Sequence, residues 1–196
     1  MQITNTTIVK YISLLAMISF SLLEIIYKQT TVFYILYLFW FDELIRTIFE
    51  KITYYFKKNE IENPVQYLKS VNGKFYFLFL YLIFIFVFFG LIIDRNDFDL
   101  IAVNFTVLFF KNSFFNYSLL VFVLREVYLY RENSAHKEPN SLLSIRIFIL
   151  HISIVLGVLF WALSTQKFHF MEAYANSIAI VPFLLLKVII EINSNE

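Results

Sequence analysis

The sequence predicts an all-α integral membrane protein, a polytopic transmembrane helical bundle with six spans and one short helix that does not cross. Three observations predict it. Hydrophobic residues make up 60% of the chain and charged residues 16%, against roughly a quarter charged in an ordinary soluble domain. The apolar residues gather into blocks of about 20, the length a helix rising 1.5 Å per residue needs to cross a hydrocarbon core of about 30 Å. Only 3 Gly and 3 Pro interrupt 196 residues, so the chain has few means of turning inside those blocks. No polar stretch is long enough for a separate soluble domain, and residues 1–196 are expected to form a single integral membrane domain.

Residues 8–27 form the first expected span. Lys10 lies at its start and no small-residue cleavage pattern follows, so the block reads as a span and not a cleaved leader. Residues 31–52 form the second, and the short link of Lys28, Gln29 and Thr30 predicts an antiparallel hairpin. Residues 53–74 are the longest polar segment, punctuated by Pro64 and Gly73. They read as a surface loop with a short interfacial helix near 65–71. The third span, 75–93, contains no charged residue and is closed by the acidic link DRNDFD at 94–99.

Residues 98–130 are interrupted by Lys111, Asn112 and Asn116 and are too long for one upright helix. They divide into a short helix near 98–110, re-entrant or interfacial, and a full span near 114–130; one long tilted helix is the alternative. A polar link with Pro139 leads to a fifth span near 145–163 and a sixth near 173–192. Pro182 removes a backbone donor inside the sixth and is expected to kink it.

Six spans put both termini on one side with the two long loops. That side carries Lys10, Lys51, Lys57, Lys58, Lys69, Lys74, Arg131, Lys137 and Arg146, whereas the other carries Lys28, Arg95 and Lys167, with Lys111 beside them. The excess of cations places both termini in the cytoplasm, in an inner or plasma membrane.

Charged residues inside apolar helices are the candidate functional groups, because each costs roughly 2.5–3.5 kcal/mol at a helix centre unless paired or hydrated. The three hairpins can be laid over one another as repeats. The second helix of each then carries charge at nearly equal depth: Asp42 and Glu43 in FWFDELIR, Arg125 and Glu126 in VFVLREVY, and Lys187 in PFLLLKVIIE. Glu43, Arg46 and Glu50 follow at i, i+3 and i+7, on one stripe, and Asp42 and Arg46 form an i, i+4 pair. Arg125 and Glu126 leave their helix about 100° apart, which predicts that one faces the bundle centre and the other a neighbouring helix. Lys187 is expected to pair with Glu191, four residues on.

Other groups read as peripheral. Glu50 and Glu191 are expected to be wet, Arg46 and Lys187 are within snorkelling reach of the boundary, and Glu24 is expected at solvent near the outer end of the first span. Trp161 suits an interfacial anchor, and Trp40 a cavity wall or a lipid contact. The histidines His136, His151 and His169 lack metal-site spacing. His151 alone is a candidate for a buried proton-transfer group. With no Cys, thiolate zinc sites, iron–sulfur centres and cysteine nucleophiles are excluded within the chain. No cofactor is expected. A net charge of +1 gives no reason to expect nucleic acid.

The segment YLFWFDELIR, 37–46, resembles the repeated aromatic and acidic helix motif of an uncharacterised family of small bacterial integral membrane proteins. The resemblance implies an architecture and no activity, and it puts Glu43 at the motif's acidic position. The corresponding stretch at 120–128 lacks the aromatic pair, and Lys187 departs further.

The expected function is that of a small transporter or channel-like protein. It would bind an ion, proton or polar solute at Asp42, Glu43, Arg46, Arg125, Glu126 and Lys187. Two alternatives stay open: a noncatalytic membrane scaffold or accessory subunit, and an intramembrane enzyme acting on lipid. The expected partners are membrane lipid, an ion or small polar solute, and a second copy of the chain or another membrane protein.

Overall fold

The computed structural model describes residues 5–27, 30–93 and 95–132, together with 151–152, 154–156, 159, 180 and 183–189. Among the described residues every regular element is helical and no strand forms. Helix α1 is Asn5–Tyr27 and α2 is Val32–Phe56. After a 3-10 turn at Lys58–Glu60, α3 runs Pro64–Phe84 and continues in π-helical register through Ile85–Ile92. A short α4, Phe98–Leu108, precedes α5, Ser113–Arg131.

Three stretches, Asn5–Tyr27, Pro64–Ile92 and Phe98–Arg131, are long and apolar enough to cross a membrane, which fits a membrane protein. The expected fifth and sixth spans, with Pro182, Trp161, His136, His169 and Glu191, fall largely or wholly outside the described residues. Helix α2 has 25 residues but carries too many charges to stand with those three. Its place is the interior. Every side chain from Phe33 to Trp40 is buried, and α2 packs against both α3 and α5, as a helical stretch apolar all round must.

Side-chain caps decide where the helices begin. Asn63 accepts from the Gln66 amide at 3.1 Å and Pro64 takes the first position of α3, where a missing N–H costs nothing. This corrects the expected loop at 53–74: α2 continues to Phe56, and the predicted interfacial helix is the first part of α3. Gly73 does not break it, because one interior glycine costs only about 1 kcal/mol and buried Tyr67, Val71 and Leu78 hold that face down.

The expected division of 98–130 is present, with helices on either side of Phe109–Asn112. Phe110 adopts φ 57°, the Lys111 amide bonds the Thr106 carbonyl at 2.8 Å, and the Phe110 amide bonds that of Val107 at 3.1 Å. These two bonds close α4 in a Schellman motif with phenylalanine at the left-handed position. The next turn starts on Asn112, whose Oδ1 accepts from the Phe115 amide at 2.9 Å.

At one end of the bundle, here the Thr31 end, α3 finishes and α5 starts. Helix α4 has only 11 residues and stays at that end, with Asn104 bonded both to Thr31 and to the Gly90 carbonyl. Helices α2 and α5 run parallel. Helix α1 packs more extensively on α5 than on α2, so the expected first hairpin is joined in sequence but is not the main packing pair. Apolar side chains such as Ile12, Leu15, Phe79, Ile83, Leu120 and Leu124 lie exposed along α1, α3 and α5, a surface that hydrocarbon covers without penalty.

Candidate functional site

All six expected site residues are described, and all are buried. Asp42 on α2 is the hub. Its Oδ1 accepts from Arg125 Nη2 on α5 at 2.5 Å, and its Oδ2 from Lys187 Nζ at 2.5 Å. Arg46, one turn further along α2, stands 3.9 Å from the same carboxylate. Arg125 also reaches its chain neighbour Glu126, with Nε at 2.9 Å and Nη2 at 2.8 Å from Oε1. Glu126 in turn lies 3.9 Å from Arg46 Nε. Five of the six residues thus form one connected network linking α2, α5 and the 183–189 segment.

Several expectations need correction. Arg125 and Glu126 do not diverge. Although their Cα–Cβ bonds differ by about 100° around the helix, the long guanidinium folds back so that both charges enter the same cluster. Arg46 and Lys187 do not snorkel, because two carboxylates inside the bundle satisfy them more directly than a distant headgroup layer. Lys187 meets Asp42, whereas its expected partner Glu191 lies outside the described residues.

Glu43 sits beside the network without joining it. Its side chain is 4% exposed and makes no hydrogen bond or ion pair with the described residues. It lies in the combined field of Arg46, Lys74, Lys187 and Glu50. Three acids (Asp42, Glu43, Glu126) face three bases (Arg46, Arg125, Lys187), so full ionisation leaves the six formally neutral.

One turn beyond, Glu50 Oε1 accepts from Lys74 Nζ at 2.6 Å, and Tyr67 donates its hydroxyl to the Glu50 backbone carbonyl at 3.2 Å. Glu50 was expected to be wet and Lys74 to belong to a polar loop; both are buried. The signal for Glu50 was present in the 43–46–50 stripe. That for Lys74 was masked by reading a helix start at residue 75 when the helix begins at 64. Trp40 is buried, its Nε1 donates to the Leu78 carbonyl at 2.7 Å and its ring stacks on Tyr37, so it serves the packing of α2 on α3.

Glu24 was also expected at solvent, yet it is 1% exposed and its Oε1 accepts from Asn112 Nδ2 at 2.5 Å. The reason is the α4–α5 break, which turns an asparagine amide toward α1 at that depth. His151 is exposed and shares a hydrogen bond of 3.3 Å with the Tyr81 hydroxyl, which removes it as a buried proton carrier. Among the described residues no three His, Asp or Glu side chains gather as a metal site.

Chemically, the cluster can hold a charge-balanced set of ion pairs in a site closed to water, exchange one partner for another, or admit an ion at Glu43. No curated protein and no solved structure matches the chain. The motif resemblance at 37–46 gains no support from comparison, whereas nearly the whole chain is matched at family level. Residues 3–195 match a family of unknown function, DUF6498, and the chain belongs to that family.

Proposed function

We propose that this chain is a small membrane transport protein, channel-like or carrier-like, that handles an ion, proton or polar solute at the charge network. The supporting observation is Glu43, a buried carboxylate without an ion pair among the described residues, set beside five residues that are paired. A carboxylate enclosed in this way, with coordinating oxygens still available, is suited to an exchangeable cation or proton. Asp42 is suited to a different task. With Arg125 and Lys187 on its two oxygens, it forms a gate whose ion pairs must part before a solute can pass.

In this reading the chain makes six spans arranged as three hairpins, with both termini cytoplasmic in an inner or plasma membrane. The lysine and arginine asymmetry supports that orientation. Lipid acyl chains cover the exposed apolar rows, and a path forms within one bundle or between copies.

The test is flux in proteoliposomes. Glu43→Gln should abolish proton- or cation-driven flux while leaving yield and thermal unfolding in detergent unchanged. Wild-type flux in the variant would remove Glu43 from the site. A second reading, a noncatalytic scaffold or accessory subunit, is favoured by the saturation of both Asp42 oxygens. It predicts no solute-dependent flux in the wild type and a loss of assembly yield in Asp42→Asn.

A further inference from the structure

A second buried polar group lies at the Thr31 end, about 12 Å along α2 from Asp42 by helical rise from Tyr34. Glu24 on α1 spends Oε1 on Asn112, and its Oε2 has no hydrogen-bond partner although it is sealed from solvent. The Tyr34 hydroxyl of α2 and Ser21 Oγ of α1 are likewise buried, and they lie beside each other without a well-formed hydrogen bond. Ser21 and Ser118 adjoin the Tyr34 hydroxyl, and Glu24 is close enough to act on it electrostatically. Ser118 donates to the Phe114 carbonyl at 3.0 Å, which leaves its oxygen lone pairs available.

A sealed carboxylate oxygen without a partner, with buried hydroxyls gathered near it, calls for an explanation, since buried polar atoms are nearly always satisfied and an ion is one of the few things that can satisfy several at once. The donors here are a carboxylate and hydroxyls, the oxygen ligands that hard cations take. A single carboxylate supplies one negative charge. A divalent ion would leave a net positive charge buried, whereas a monovalent ion is neutralised.

We infer that Glu24, Tyr34, Ser21 and Ser118, with Asn112 orienting the carboxylate, form a dehydrated site for a small monovalent metal cation such as sodium. The inference goes beyond the transport reading and does not depend on it, because no residue of the Asp42 network belongs to this site. The ion links α1, α2 and α5, so its binding stabilises the fold by mass action.

Thermal unfolding of the purified protein in detergent tests this, comparing sodium chloride with potassium and choline chlorides at equal ionic strength. The expected result is a saturable rise in Tm with sodium that choline does not give. Glu24→Gln and, separately, Tyr34→Phe should weaken the apparent sodium affinity about tenfold or more, whereas Glu62→Gln, at an exposed carboxylate outside both polar clusters, should leave it unchanged. Equal shifts with sodium and choline in the wild type overturn the site whether or not the variants fold. So does an unchanged sodium dependence in Glu24→Gln.

Discussion

The Lys74 ammonium lies 2.6 Å from Glu50 Oε1, joining α3 to α2 through a pair of side chains that are both sealed from solvent. Removing one member of such a pair takes a close counter-charge from a buried group, which costs about 3–5 kcal/mol. Lys74→Met should therefore destabilise the protein strongly. Lys74→Met combined with Glu50→Leu should recover most of the loss, because two apolar side chains of similar bulk need no counter-charge. Unfolding in detergent read as a double-mutant cycle checks this, and a double variant no more stable than Lys74→Met would count against the pair.

Asp42 separates cations that would otherwise repel. Asp42→Asn leaves Arg125, Lys187 and Arg46 converging without their shared carboxylate, with an expected loss of about 3–5 kcal/mol. Adding Lys187→Met to Asp42→Asn removes one of the like charges and should restore part of the stability. If the second substitution instead added its own full penalty, Lys187 and Asp42 would not be coupled.

Trp40 offers a smaller and more local test. Trp40→Phe retains most of the stacking on Tyr37 but loses the bond to the Leu78 carbonyl. A single neutral hydrogen bond contributes about 1 kcal/mol net. The variant should fold, with a modest drop in stability and no change in helix content by circular dichroism.

Asn104 clamps the π-helical segment. Its amide donates to the Gly90 carbonyl at 3.2 Å and the Phe89 carbonyl at 3.4 Å, while its Oδ1 accepts from Thr31 at 2.5 Å. Asn104→Leu takes the amide donor from the two carbonyls and the acceptor from the Thr31 hydroxyl, at about 1–3 kcal/mol. Amide hydrogen exchange should accelerate across 85–93 and remain unchanged across 64–80. A uniform change along the helix, or none, would show that the clamp does not act locally.

The helical membrane character was legible because hydrophobic blocks of spanning length are a one-dimensional signal, and the break at 109–112 was legible because Lys111, Asn112 and Asn116 interrupt an apolar run. The charge network was legible for the same energetic reason: full charges within apolar helices must find one another, and Asp42, Arg46, Arg125, Glu126 and Lys187 do. Pairings and depths at helix ends were not. Glu24 is buried because Asn112 reaches it from 88 positions away, and Lys74 because α3 starts at a capped proline well before its apolar run. Neither long-range contact is encoded in local spacing. The difference between α1 packing on α5 and α1 packing on α2 is likewise a choice between two apolar faces that the hydrophobic pattern does not rank.

The most charged of the described long helices is also the most enclosed, and this constrains how the chain is made. When Asp42 is added to the growing chain, Arg125 is still 83 residues from synthesis and Lys187 is 145 away. Asp42 must then wait for its counter-ions in the translocation machinery or in a hydrated cleft beside it. Nascent chains released before α5 emerges should therefore fail to settle in the bilayer and become substrates for quality-control proteolysis.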